Sequence, residues 1–186
     1  MSTQKIWDHA IDLKEEFMPK KGKVYPLSRE KREEVREFVK EQLWKEYIRF
    51  SKLPQIALVF FVGKKNGKRR MVQDYQYLNE WTVKNNYPLP LISDVLENIG
   101  TKKVFTKIDL RWGYNNVRIK KENKWKAVFT TPEGSFKLMV MFFGLTNSPA
   151  TFQAMMNELL RDLINTRKVA VFIDDVIVGT ESEKVL

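Results

Sequence analysis

The chain has no cysteine and a single histidine, His9. The first absence excludes disulfides, thiolate zinc sites and cysteine nucleophiles. The second leaves a serine-hydrolase triad or an imidazole metal centre resting on one residue whose neighbours give it no partner pattern. No apolar run approaches the roughly 18 residues that a membrane span requires. Residues 1–17 carry Asp8, Asp12, Glu15 and Glu16 where a secretory signal would be apolar. With 8 Gly and 7 Pro, and no repeat, heptad array or Gly/Ser linker, collagen-like and low-complexity chains are excluded. Chemistry must therefore use carboxylates, amides, hydroxyls or metal ions. What is present is a chain of 186 residues, long enough to bury a core as one domain or as a large piece of a bigger one. Its 33 Lys and Arg against 23 Asp and Glu give a net charge of +10, which suits a polyanionic partner or a merely basic surface.

Residues 19–26 are the least globular stretch, with Lys20, Lys21, Gly22 and Lys23 interrupting any period, so an extended connector is expected. Ser28 then caps a helix to about Tyr47, with Val35, Phe38, Val39, Gln42, Leu43 and Tyr47 at helical spacing. Apolar residues 56–62 and the stretch from Arg69 to Val72 flank Gly63-Lys64-Lys65-Asn66-Gly67-Lys68. Asn-Gly in that setting signals a hairpin, because both residues tolerate positive φ. Its tip carries Lys64, Lys65, Lys68, Arg69 and Arg70 with no acid to neutralise them, which makes it a phosphate reader or a solvated turn.

Pro90 stands at the first position of a helix holding Leu91, Ile92, Val95, Leu96 and Ile99 and ended by Gly100. A strand is expected over 103–110, then an aromatic turn, Arg111-Trp112-Gly113-Tyr114. A second hairpin joins 125–130 to 136–142 through Thr131-Pro132-Glu133-Gly134. Ser148 caps a helix with Pro149 in its first turn and Phe152, Met155, Met156, Leu159 and Leu163 as its apolar stripe. Strands and helices alternate without strict βαβ order, so the fold class is α+β with an antiparallel sheet.

Asp174 and Asp175, flanked on both sides by Val, Ile and Phe, are the most informative pair. On one straight strand they would point to opposite faces, burying one charge at a cost on the order of several kcal/mol. At the turn of a tight hairpin between 170–173 and 176–178 both emerge at a sheet edge, where a divalent cation with oxygen preference relieves their repulsion. A hydrophilic turn without chemistry explains the pair equally well when it is taken alone. Asp109 changes this, because Phe105-Thr106-Lys107-Ile108-Asp109 ends another β-like run on an acid. Three acids ending neighbouring strands suit paired-ion phosphoryl transfer.

Further motifs join these in order: Phe60-Phe61-Val62-Gly63-Lys64-Lys65-Asn66-Gly67, Val72-Gln73-Asp74-Tyr75, Leu78-Asn79-Glu80-Trp81-Thr82, Tyr87-Pro88-Leu89-Pro90-Leu91-Ile92, Arg111-Trp112-Gly113-Tyr114-Asn115-Asn116-Val117-Arg118-Ile119, Val140-Met141-Phe142-Phe143-Gly144-Leu145-Thr146-Asn147-Ser148-Pro149-Ala150-Thr151-Phe152-Gln153 and Phe172-Ile173-Asp174-Asp175. From about Trp7 to Thr180 the set resembles the reverse transcriptase of gypsy-type long-terminal-repeat retrotransposons, especially the fungal kind. The resemblance implies the fingers–palm fold of a right-hand polymerase, with an antiparallel palm sheet packed against helices and no thumb. Residues 1–26 would be an extended lead-in from a polyprotein and 27–186 the fingers and palm. The fingers would span about 27–90 and 116–145, and the palm about 91–115 and 146–186.

It further implies that Asp109, Asp174 and Asp175 are catalytic acids which, with the backbone of Leu110, hold Mg²⁺ or Mn²⁺. Lys64 or Lys65, Arg70, the amides of Trp112, Gly113 and Tyr114, and Phe143 would meet the incoming deoxynucleoside triphosphate. The Tyr114 ring would exclude a ribose 2′-hydroxyl. Asp74, Gln76, Asn79, Gly144 and Pro149 would lie near the template, RNA or DNA, which carries the primer. Gln76 departs from the Arg usual there, which implies a weaker template grip. Phe172-Ile173 stands where relatives often have Tyr-Val or Tyr-Leu.

The chain stops at Leu186, before the primer grip, thumb, connection and ribonuclease H domain of such polyproteins. The expectation is therefore an RNA-directed DNA polymerase fragment, intracellular, in a cytoplasmic virus-like particle or the nucleus, with no membrane partner. Two rivals stand beside it. One is a nucleic-acid-binding fragment without activity, giving salt-sensitive binding and no extension. The other is a metal-dependent nuclease, which would shorten a labelled strand without added nucleotides. Self-association is expected through a truncated palm edge at Val176 to Val178 and Val185-Leu186.

Overall fold

Ser28 caps the first helix, its Oγ accepting the Lys31 N–H, in a computed structural model that describes residues 7–20, 26–53, 57–63, 67, 69–100 and 102–182. Along the chain the elements are α1 (Arg29–Trp44), β1 (Ile48–Phe50), β2 (Leu58–Gly63), β3 (Arg69–Asp74), α2 (Gln76–Trp81), α3 (Ile92–Ile99), β4 (Val104–Asp109), β5 (Val128–Thr131), β6 (Gly134–Leu138), α4 (Ser148–Leu159), α5 (Arg161–Asn165), β7 (Val169–Phe172) and β8 (Asp175–Thr180). They form two units, Met1–Lys84 with Asn115–Thr146, and Asn85–Tyr114 with Asn147–Leu186. Every named strand pair is antiparallel and the class is α+β. No helix among the described residues is long and apolar enough to cross a membrane.

In the first unit β6 lies between β1 and β5, and β2 pairs with β3 as a separate ribbon. The hairpin from β5 to β6 closes on Thr131↔Gly134, leaving Pro132-Glu133 as a two-residue loop. Ala57, just before β2, exchanges backbone hydrogen bonds with Val128 and Thr130 and so ties the ribbon to β5. The helical spacing of α1 delivers Val35 and Val39 to a core containing Ile48, Phe129, Phe136 and Leu138. Each large side chain buried there contributes about 1.5–3 kcal/mol. Residues 7–20 are built into this unit. His9 bonds through its backbone to Arg118 and Lys120, Ile11 is buried, and Leu13 bridges Thr82.

In the second unit β8 lies between β4 and β7. Val95 and Ile99 of α3 pack on Ala170, with Phe172 and Ile177 against them. Four local expectations are corrected. Leu91, not Pro90, is the cap residue of α3, and Leu91, Ile92 and Leu96 are exposed. Asn147, not Ser148, caps α4, placing Pro149 in the first turn. The stripe drawn through Leu163 breaks at Leu160, so Leu159 and Leu163 face solvent. Val176 to Val178 lie in the middle strand with partners on both sides, so the open edge expected there is absent. Val185 and Leu186 lie outside the described residues.

Candidate active site

Chain geometry at one end of the second unit's sheet follows from two registers. Asp109, the last residue of β4, is directly opposite Asp175, the first of β8, and Asp175 is also opposite Phe172 at the end of β7. Only Ile173 and Asp174 remain for the turn. The Leu110 N–H donates to the Asp174 carbonyl at 3.0 Å, which fixes the β4 end against that turn. Asp109 is exposed, and Asp174 and Asp175 are half-buried. Like charges directly opposite on a sheet repel, so the arrangement favours a cation.

The turn is strained. Ile173 takes φ 57°, where a β-branched side chain crowds its backbone at about 1–3 kcal/mol. Gln153 on α4 holds it there. This side chain is fully buried, its Oε1 accepts the Ile173 N–H at 2.7 Å, and its Nε2 donates to Val171 O at 3.3 Å and to Asn157 Oδ1 at 2.8 Å. Asn157 Nδ2 in turn donates to the Tyr87 hydroxyl at 2.8 Å. Sequence reasoning assigned Gln153 no role, although an amide beside Phe152 on the buried face of an apolar helix was the available signal.

Lys107 was missed as well. It precedes Asp109 by two residues and therefore shares its face, and its Nζ lies 3.0 Å from Asp175 Oδ2. The hydrogen bond it donates to Asp175, with that carboxylate's charge and those of Asp109 and Asp174, raises the Lys107 ammonium above the ordinary lysine range. Tyr114 is buried edge-on against Phe152, with ring centroids 5.1 Å apart. Burial, with Asp174 adding to it, pushes its hydroxyl up to about 12. Gly113 sits where a Cβ would come within 2.8 Å of Phe152 Cζ, so any side chain there would have to displace the buried Phe152 ring. The Gly113 amide, one of the three expected to face a triphosphate, donates to Leu110 O at 3.0 Å. Trp112 beside it is exposed at φ 59°. Pro149 is half-buried in the first turn of α4.

The donor set is oxygen only, which suits Mg²⁺ or Mn²⁺. Among the described residues no three His, Cys, Asp or Glu side chains close on one point. That is compatible with an ion such as Mg²⁺, which is commonly held by one or two carboxylates together with waters and substrate phosphates.

The first unit carries the other predicted residues. The Arg70 guanidinium lies over the Phe143 ring, 5.9 Å from its centroid, so two of the nucleotide candidates meet. Gly144 follows at φ 99°. Asn79 clamps this loop, its Nδ2 donating to Gly144 O at 2.6 Å and its Oδ1 accepting the Thr146 N–H at 2.9 Å. Asp74 accepts the Gln76 N–H at 3.0 Å and so braces the start of α2, while the Gln76 side chain is exposed. Arg69 corrects the unneutralised tip, because it is paired with Glu30 at 3.3 Å and Glu34 at 2.8 Å on α1. Lys64, Lys65 and Lys68 lie outside the described residues.

Residues 62–186 match the family described as reverse transcriptase (RNA-dependent DNA polymerase). Among similar proteins, the Transposon Tf2-3 polyprotein of Schizosaccharomyces pombe is 36% identical over 159 residues, covering 86% of this chain and 12% of that protein. The retrovirus-related Pol polyprotein from transposon 297 of Drosophila melanogaster is 37% identical over 166 residues, covering 87% of this chain and 16% of that protein. The chain thus spans a small part of these relatives. A foamy viral protease-reverse transcriptase, solved in complex with an RNA/DNA hybrid, shares the fold with TM-score 0.83 at 22% identity, over 96% of this chain and 24% of that one. A prototype foamy virus protease-reverse transcriptase mutant gives TM-score 0.82 at 25% identity, over 97% of this chain and 24% of that one.

Proposed function

Because the chain belongs to the reverse transcriptase (RNA-dependent DNA polymerase) family, we propose that it is the fingers and palm of such an enzyme, cut from an intracellular retrotransposon polyprotein. The first unit is read as fingers and the second as palm. The observation that carries the reading is the direct pairing of Asp109 with Asp175, with Asp174 in the adjoining turn. These carboxylates would hold Mg²⁺, or Mn²⁺ in its place, with the Leu110 carbonyl beside them. When bound, the ion supplies activation of a primer 3′-hydroxyl and neutralisation of the departing pyrophosphate.

The chain's own residues do the positioning. Gln153 fixes the Ile173 turn, so that Asp174 and Asp175 are held at one orientation relative to Asp109. Tyr114, packed on Phe152, presents a rigid ring that would select deoxyribose by excluding a 2′-hydroxyl. Arg70, stacked on Phe143, offers a planar fork suited to a triphosphate oxygen, with Lys64 or Lys65 as a second phosphate ligand. Trp112 and Gly113 would border the nucleotide, and Asp74, Gln76, Asn79, Gly144 and Pro149 the template. The Asn79 clamp on residues 144–146 acts by shaping that loop.

A second reading is a nucleic-acid-binding fragment without chemistry, which the net charge of +10 would serve equally well. Extension of a labelled DNA primer on an RNA template, with Mg²⁺ and deoxynucleotides, separates the two. Extension that falls at least about a hundredfold in Asp109→Asn and Asp174→Asn supports the polymerase reading. Salt-sensitive template binding with no extension by the parent chain supports the second.

A further inference from the structure

We propose that Lys107 is a resident counter-cation of the acid cluster, holding Asp175 until a divalent metal displaces it. The inference rests on reading Asp109, Asp174 and Asp175 as the metal site, and it concerns a residue which that reading leaves without a role. Register places Lys107 opposite Ile177 and diagonal to Asp175, on the same face as Asp109. Its Nζ stands 3.0 Å from Asp175 Oδ2. Diagonal neighbours on a sheet are within reach of long side chains, so the register itself puts Asp175 within range of Lys107.

Charge explains what the contact does. One ammonium set against three carboxylates leaves two negative charges, which a divalent ion balances. A hard divalent ion needs carboxylate oxygens free of competing donors. The Lys107 side chain is largely exposed and ends a flexible four-carbon stem, so it can swing off Asp175 without backbone movement. An exposed pair of this kind is weak, and a divalent ion at the same oxygens prevails over it. Lys107 thus lowers the affinity for metal alone. It favours loading of the ion together with a triphosphate, which brings its own negative charge into the cluster.

The test is a titration of the full chain with Mn²⁺ alone, following free Mn²⁺ by electron paramagnetic resonance, without nucleotide or primer. Lys107→Met is expected to bind Mn²⁺ about three- to tenfold more tightly than the parent. Lys107→Arg should keep the parent affinity, and Lys103→Met, which removes a charge outside the cluster, should shift it less. In EDTA, Lys107→Met should melt below the parent, and this difference should vanish in an Asp175→Asn background. Equal Mn²⁺ affinity in the parent and Lys107→Met overturns the role of Lys107 and leaves the metal-site reading standing. An equal shift in Lys103→Met also overturns it. Failure of both the parent and Lys107→Met to take up Mn²⁺ overturns it together with the metal-site reading.

Discussion

In the first unit Asp8 is buried and each of its carboxylate oxygens accepts an N–H of the Arg118 guanidinium at 3.2 Å. In the second, Asp109 and Asp175 face each other across β4 and β8, with Lys107 on one of them. The first is a fork-to-fork pair that satisfies a buried charge. The second gathers more negative charge than its resident cation cancels. A carboxylate whose partner is supplied within the fold serves the fold, whereas a set left in surplus is poised for something from outside.

The largest expected effect breaks the satisfied side. Arg118→Met leaves Asp8 buried without its guanidinium and should cost about 3 kcal/mol in urea denaturation. Asp175→Asn should change stability by less than about 1 kcal/mol. A loss for Arg118→Met no greater than that for Asp175→Asn would dissolve the distinction.

A second test concerns acid. Burial pulls the His9 imidazole down to about 4 from an ordinary 6.5. The unfolded chain therefore takes up a proton near pH 6.5 while the folded chain still resists. The stability that His9 contributes is complete above pH 6.5 and is lost as pH falls towards 4, on the order of 3 kcal/mol in all. Urea midpoints measured from pH 7 to pH 4 should fall steeply in the parent and less steeply in His9→Gln. Parallel slopes would reject the assignment.

The smallest effect is a gain. Asp109→Asn removes one of two opposed charges and should raise the melting temperature in EDTA, by the equivalent of about 0.5 kcal/mol. A fall would mean that the acids repel less than their register implies.

Much of this was legible locally. Thr131-Pro132-Glu133-Gly134 announced its hairpin because turn chemistry is encoded within four residues, and β2 pairs with β3 as the first hairpin required, although Asn66 of its turn lies outside the described residues. The two acid-terminated runs, one ending at Asp109 and the other broken at Asp174-Asp175, were visible for the same reason. Their pairing was not, since the register of β4 with β8 brings Asp109 to Asp175, 66 positions away, and is set by packing rather than by local preference. Separation in sequence also hid the partnership of Asp8 with Arg118, 110 residues away. Lys107 could be linked to Asp175 only once that register was known. The break at Leu160 escaped because apolar residues continue at helical spacing after the helix has ended. Gln153 was overlooked because an amide on an apolar stripe does not announce which backbone group it will meet.

The two-residue turn at Ile173-Asp174 also fixes how this stretch of gene tolerates copying errors. Side chains in a strand alternate faces, so inserting or deleting one residue between β7 and β8 would rotate the hairpin partner by half a period. Asp175 would be driven toward the side now filled by Val176, and Val176 would be turned outward. Substitutions here can be graded in their effect, but a one-codon slip is all or nothing.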